Sequence, residues 1–452
     1  MMANQRKVIS IQKDLNFFRN LAILVFIIKI LILFRISPLT NWSYQGRMWL
    51  GADGENYLVG VNALSQDGIL SKSEILNYWP AGYPIFIYIF GIFGKLNALT
   101  VLGLVQSAIF SFAVFRFSLE LYRNNYRKVS KILSIFLLFN PTLSLSSLSI
   151  GYESICASGF LFVLALGISE IINVREKPNN KNIIIIGLTL SFIGALQPRL
   201  LISGIAIAFI ISFTRKNIVI SLVRSLCVTL IISSLPFSLI MRNHFASGLN
   251  VLSLNLGVTM SIGAGDDATG MYRGSWKGVP CKYNQANRVQ ADNAQVRCVM
   301  KWYLEHPKKS AQLFLNKTIY YWSPWIGPES KGTMARNPWF QKNPIKSIAQ
   351  TQQGFKLVYG PFGIFVSWLW VLLSFSLMIL GLIQLLKTSV STKKLGLLLI
   401  AIIFPSWFVT LFTLGDNRFR LPTLGAVITL QVVGLIYSWI KLNGRRTVTY
   451  FP

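Results

Sequence analysis

Ten separate runs of apolar residues, most about 15 to 25 long, constrain this chain more than any other feature. A soluble helix keeps one face polar to meet water. These runs have no such face, and a helix needs roughly 20 apolar residues to cross a hydrocarbon core about 30 Å thick. The runs cover 17–36, 99–122, 132–150, 154–172, 183–196, 200–213, 218–241, 357–386, 395–414 and 421–440. Only 13% of the 452 residues are charged, about half the share in a soluble domain, and the mean hydropathy is +0.51. The expected fold is an all-α integral membrane bundle of about ten spans. A cytoplasmic enzyme, a fibrous protein and a secreted disulfide scaffold are excluded. No small-residue cleavage site follows the first run, so it reads as a retained anchor.

Charge sets the expected topology. The formal +29 comes from 44 Lys and Arg against 15 Asp and Glu, but no nucleic-acid motif accompanies it, and much of it borders apolar runs. Segments 1–19, 123–131, 173–182, 214–217, 387–394 and 441–446 hold nineteen Lys and Arg, whereas 37–98, 151–153, 197–199 and 415–420 hold six. The positive-inside rule then puts both termini in the cytoplasm and prefers ten spans to twelve. Two further apolar stretches, 81–96 and 311–325, become helices at the outer face. Three regions follow: an N-terminal bundle (1–241) containing the first outer loop (37–98), a large outer region (242–356) and a C-terminal bundle (357–452).

Eleven of the fifteen carboxylates fall on the outer side of this topology, so acid–base chemistry is expected there. Four Cys and two His offer no zinc-type spacing. Cys156 and Cys227 read as small apolar residues, while Cys281 and Cys298 share the outer region and have a disulfide open to them in an oxidising compartment.

Asp53 stands between Gly51-Ala52 and Gly54 at the head of an amphipathic stretch in which Tyr57, Val61 and Leu64 recur at helical spacing. It is either an N-cap or a base at the lipid–water boundary. Glu55 points elsewhere around the helix. Trp79-Pro-Ala-Gly-Tyr-Pro84, which contains Tyr83, forces a turn that closes the outer loop over the bilayer. Glu153 lies between two spans with no loop to solvate it, a costly position that marks a functional site, a cap or a partner for an Arg. Arg199, in a break between two spans, is a partner for Glu153 or for an anion.

The outer region opens with Arg242-Asn-His244 and carries fifteen Lys and Arg against five acids. Anionic headgroups or a lipid phosphate suit that excess. Its turn Gly263-Ala-Gly-Asp-Asp-Ala-Thr-Gly270 lacks the calcium-loop spacing and reads as solvated. The closing turn, Gly415-Asp-Asn-Arg-Phe-Arg-Leu-Pro422, sets Arg418 and Arg420 between two spans. They snorkel or clamp a phosphate.

Together these motifs resemble the GT-C fold glycosyltransferases, in particular the bacterial branch related to protein O-mannosyltransferases and the lipid A aminoarabinose transferase. The resemblance rests on Asp53 with Tyr57, the Pro80 to Pro84 turn, Glu153, Arg242-Asn243 leading to the 263–270 turn, His306-Pro307 with Lys317 and Trp322 to Pro324, and Arg418 to Pro422. It departs from the family at Gly54, where many relatives have a second acid, and at Pro198-Arg199, where the usual order is reversed. The resemblance implies inverting transfer of a sugar from a polyprenyl-phosphate donor to a lipid, glycan or protein acceptor on the outer side of the membrane.

On that resemblance Asp53 is the candidate base, and Arg418 or Arg420 binds the donor phosphate. The residues add Glu153 to the catalytic set, Arg199 and Arg242 to the phosphate site, and Tyr57, Tyr83 and His244 to the substrate contacts. No Asp-x-Asp motif is present, so neither a metal nor a cofactor is expected, and a bacterial inner membrane is the expected location. A surface-polysaccharide polymerase or ligase, leaning on Arg and His of the outer region, is the alternative. A transporter is a more distant one, since no internal repeat is found.

Overall fold

Helices occupy most of each of the ten apolar runs, and the third run ends in a short strand, Ser149–Ile150. The structure, a computed structural model, describes residues 2–172, 180–213, 217–272, 279, 287–325, 327–332 and 347–443. In chain order, α1 (Met2–Arg35) is followed by the first loop, with α2 (Gly54–Asp67), α3 (Ile75–Tyr78) and α4 (Gly82–Ile89). Then come α5 (Ala98–Arg123), α6 (Arg127–Phe139), α7 (Pro141–Leu145), α8 (Tyr152–Ile172), α9 (Asn180–Leu196), α10 (Leu201–Ser212) and α11 (Ile218–Ser247). The 242–356 region holds α12 (Leu256–Ile262), α13 (Arg288–Glu305), α14 (Pro307–Trp322) and α15 (Gln352–Tyr359). The chain closes with α16 (Pro361–Thr388), α17 (Val390–Phe412), a 3₁₀ turn Asn417–Thr423, and α18 (Leu424–Leu442).

Among the described residues, seven stretches are long and apolar enough to cross a membrane: α1, α5, α8, α11, α16, α17 and the closing turn with α18. The chain is thus an all-α, multi-span integral membrane protein. An eighth is bent by 55° between α6 and α7. The bend has a local cause: Asn140 leaves the helical region, its side chain accepts from Leu143 N–H at 2.9 Å, and Pro141 starts a new helix. The remaining two runs hold α9, of 17 residues, and α10, of 12. At 1.5 Å per residue they reach only about 25 and 18 Å, so each is shorter than a straight full span. The stretch 81–96 is α4 continued by a 3₁₀ turn, Phe90–Phe93, again too short to cross.

One large core joins α1, α5, α6, α8, α9, α10, α17 and α18. The outermost helices are α11 and α16, each with only 17% of its apolar window buried in protein, as lipid-facing spans require. Gly381 and Gly434 bring α16 and α18 together: a Cβ on either would lie 2.0 Å from a carbonyl of the other helix. The 242–356 region has a small core of its own around Met260, Val299, Trp302, Tyr303 and Leu313. Of the cysteines, Cys298 is disulfide-bonded, Cys156 and Cys227 are free thiols, and Cys281 lies outside the described residues.

Candidate functional site

Two short strands align the two carboxylates singled out in the sequence. Trp49–Leu50 pairs in parallel with Ser149–Ile150, Trp49 opposite Ser149 and Leu50 opposite Ile150. A Cβ on Gly51 would lie 2.2 Å from the Ile150 carbonyl oxygen, so the close approach requires glycine. Both segments leave the pairing in the same direction, and each enters a helix three residues or so later. Asp53 therefore arrives at the head of α2 beside Glu153 in the first turn of α8.

Asp53 takes the N-cap position of α2 but makes no capping hydrogen bond. Its carboxylate accepts instead from Nη2 of Arg418. Glu153 accepts from Nε of the same guanidinium. Its partner is thus Arg418 rather than Arg199, the nearer candidate in sequence. The Arg418 side chain is 6% exposed, that of Glu153 9% and that of Asp53 19%. Asp53 is the member of the trio most open to an incoming molecule.

The closing turn that delivers Arg418 is braced from several sides. The Asp416 carboxylate accepts from Arg418 N–H at 2.8 Å. Asn417 Nδ2 donates to the Pro324 carbonyl at 2.9 Å and to Ser330 Oγ at 3.2 Å. Gly415 N–H donates to the Gly270 carbonyl at 2.8 Å, and a Cβ on Gly263 would lie 1.9 Å from the Thr413 carbonyl oxygen. The Gly/Asp-rich turn therefore supports the arginine turn, while its exposed Asp266 pairs with Lys309. Among the described residues, no three His, Cys, Asp or Glu side chains gather as a metal site would need.

Two more arginines stand on aromatic platforms close by. The Arg199 guanidinium lies 3.6 Å from the Phe419 ring centroid, and its Nη2 donates to the Tyr152 hydroxyl at 2.6 Å. Arg199 and Arg418 both lie 5.8 Å from the Tyr152 ring centroid. Arg420 is buried, sits 4.4 Å from the Trp325 ring and 5.4 Å from the Trp322 ring, and donates from Nη2 to the Ser323 carbonyl at 3.0 Å. The Nε of Arg199 and the Nε of Arg420 have no hydrogen-bond partner among the described residues. A buried donor left this way costs about 1–3 kcal/mol. Three guanidiniums, two of them with a buried Nε left open among the described residues, offer directed donors that suit an anion.

Tyr57 packs edge-on to Tyr83 at 5.0 Å and to Trp79 at 6.4 Å. Burial, followed by the charge of Asp53, pushes its phenol well above the usual range, so it remains a neutral hydroxyl. Three expected contacts fall elsewhere. Tyr83 is fully buried, and its hydroxyl accepts from Gly151 N–H at 2.8 Å and from Gln106 at 3.3 Å. It therefore holds the backbone ahead of Glu153. Arg242 turns its guanidinium to the carbonyls of Ile69 and Ser71 and to the Asn243 side chain, clasping the loop before α3. His244 is exposed and bonds Asn250 at 2.9 Å.

Sequence reasoning gave the aromatic platforms Tyr152, Phe419, Trp322 and Trp325 no place beside the arginines, although Trp322 entered the resemblance. A signal was present: Tyr152 directly precedes Glu153, and Phe419 separates the two arginines. No protein-family model and no curated protein matches this chain.

Proposed function

We propose that this protein is a membrane glycosyltransferase that moves a sugar from a polyprenyl-phosphate donor to an acceptor on the extracytoplasmic face of a bacterial inner membrane, inverting the anomeric carbon. The observation that carries this reading is the Asp53–Arg418–Glu153 cluster flanked by two arginines, each with an Nε donor unfilled among the described residues. Asp53 is the base. As the acceptor oxygen bonds to the anomeric carbon, its proton passes to the Asp53 carboxylate, and the bond from that carbon to the phosphate oxygen breaks. The polyprenyl phosphate leaves as an anion, whose growing charge is met by fixed guanidinium donors of Arg418, Arg199 and Arg420. Glu153 orients Arg418. A lipid donor explains why such a cluster sits among membrane helices: the headgroup reaches the cluster while the tail stays in hydrocarbon. The Lys and Arg distribution along the sequence supports the orientation.

A polymerase or ligase working through Arg and His of the outer region is favoured less. Arg242 is engaged by backbone carbonyls and His244 lies against Asn250. The reading is tested with the purified full-length protein and a panel of labelled polyprenyl-phosphate sugars. The wild type transfers from at least one donor, and Asp53→Asn slows transfer about 10²–10⁴-fold with donor binding retained. An Asp53→Asn protein working at wild-type speed would refute the mechanism.

A further inference from the structure

A cavity of about 440 Å³ lies between α3, α12 and the first half of α13, within the size range of small-molecule sites. Its apolar wall includes Ile75, Leu254 and Val258, and its hydrogen-bonding groups include Tyr78, Asp292 and Gln295. Aromatic contacts connect it to the carboxylate cluster. Tyr78 meets Trp79 at 5.6 Å, Trp79 meets Tyr57 at 6.4 Å, and the charge of Asp53 acts on the Tyr57 hydroxyl.

The charges in the cavity select its ligand. Arg288 is paired with Glu74 at 2.6 Å, and no cation among the described residues pairs with Asp292. One net negative charge in a chain of formal +29 disfavours an anion. Asp292 is fixed in place, since its Oδ1 accepts from Gly257 N–H at 2.9 Å, and a Cβ on Gly257 would lie 2.6 Å from the Asp292 carbonyl oxygen. Most of the wall is helical, and the N–H of Leu254, which lies outside the helices, is taken by the Asn77 carbonyl, so an extended peptide finds no strand edge to pair with. Apolar walls with a few side-chain hydroxyl, amide and carboxylate groups suit a pyranose ring, which has apolar C–H faces and a rim of hydroxyls.

We propose that this cavity is the acceptor subsite and holds the sugar end of a neutral or cationic glycan. The inference rests on the transferase reading above. Its test uses full-length protein in nanodiscs and saturation-transfer NMR with neutral hexose and N-acetylhexosamine oligomers, a cationic glucosamine oligomer, a uronic acid oligomer and a soluble peptide. A neutral or cationic oligomer binds wild type and Asp53→Asn equally. Asp292→Asn, which can keep the Gly257 bond, weakens it about tenfold, and Ala291→Trp, which fills the cavity, removes it without moving the thermal transition. The inference is overturned if no glycan binds, if the uronic oligomer or the peptide is the one held, or if both variants bind as wild type does. Glycan binding of the expected pattern in a protein that transfers from no donor refutes the transferase reading and leaves the sugar site standing. Transfer with an unchanged acceptor KM in both variants refutes the subsite alone.

Discussion

Asp53 and Arg418 stand 365 residues apart in sequence and meet in one ion pair. The pair ties the first loop to the last turn, so it forms only once the intervening helices have assembled. Arg418 also holds Glu153, and a guanidinium fork can serve both acids where a point charge would favour one. In the transferase reading, the donor phosphate competes for this fork, and Asp53, the most exposed of the three, becomes free to take the acceptor proton.

Removing Arg418 leaves two largely buried carboxylates facing each other. Arg418→Ala should therefore destabilise the protein by about 3–5 kcal/mol, the usual cost of stranding a buried charge. Arg418→Lys should recover part of the stability and little of the transfer, because an ammonium lacks the fork. Unfolding in detergent measures the first effect, and a wild-type midpoint for Arg418→Ala would show that the cluster does not hold the two ends together.

The parts of this site that were legible in sequence are those with a local reason. A carboxylate beside glycines after a span, an acid with no loop around it, and a short turn with two arginines each stand out because membrane burial makes them costly. Partner choice was not legible. Glu153 looked closest to Arg199, and only the packing of α8 against the 417–423 turn assigns it to Arg418. Arg242 looked like an anion binder at the head of a basic region, yet it is taken up by the Asn243 side chain and by the backbone carbonyls of Ile69 and Ser71, and no side-chain pattern reveals the carbonyls. That the chain crosses the membrane many times was legible from apolar length, but the count was not: among the described residues seven stretches are long and apolar enough, or eight with the bent pair, against the ten expected, because α9 and α10 are too short.

Gly51 tests whether the strand pairing aligns the acids. Gly51→Ala puts a methyl 2.2 Å from the Ile150 carbonyl oxygen, forcing the two segments apart and moving Asp53 relative to Glu153. Transfer should drop at least tenfold, since small misplacements of reacting groups are costly. Gly204→Ala is the control: its Cβ meets Ile232 and Leu190 at an ordinary 3.6 Å, and in α10 it should be neutral or stabilising by up to about 1 kcal/mol. Equal activity losses in both would remove the special role of Gly51.

Lys317 predicts a pH dependence of stability. It is fully buried, donates to the Tyr303 hydroxyl at 2.7 Å and the Leu411 carbonyl at 2.9 Å, and burial lowers its ammonium from 10.5 to about 7. Between those values the unfolded chain keeps the proton and the folded chain releases it, so this group's contribution to stability rises with pH from about 7 to about 10.5. Lys317→Met should flatten that part of the profile. An unchanged slope in thermal unfolding across this window would show that Lys317 is not its source.

Arg199 and Arg420 offer the sharpest view of the donor phosphate. Each keeps a buried Nε without a partner among the described residues, and each guanidinium lies over an aromatic ring, so little rearrangement is needed to receive an anion. Arg199→Ala and Arg420→Ala should each weaken binding of a polyprenyl-phosphate sugar about 10–100-fold, the range for a hydrogen bond to a charged group. The folded protein should tolerate both changes, because neither arginine neutralises Asp53 or Glu153. Raising the salt concentration should weaken binding less than for a surface site, since screening reaches buried charges poorly. Donor affinity unchanged in both variants would move the phosphate away from this side of Arg418 and leave the aromatic platforms with a purely structural role.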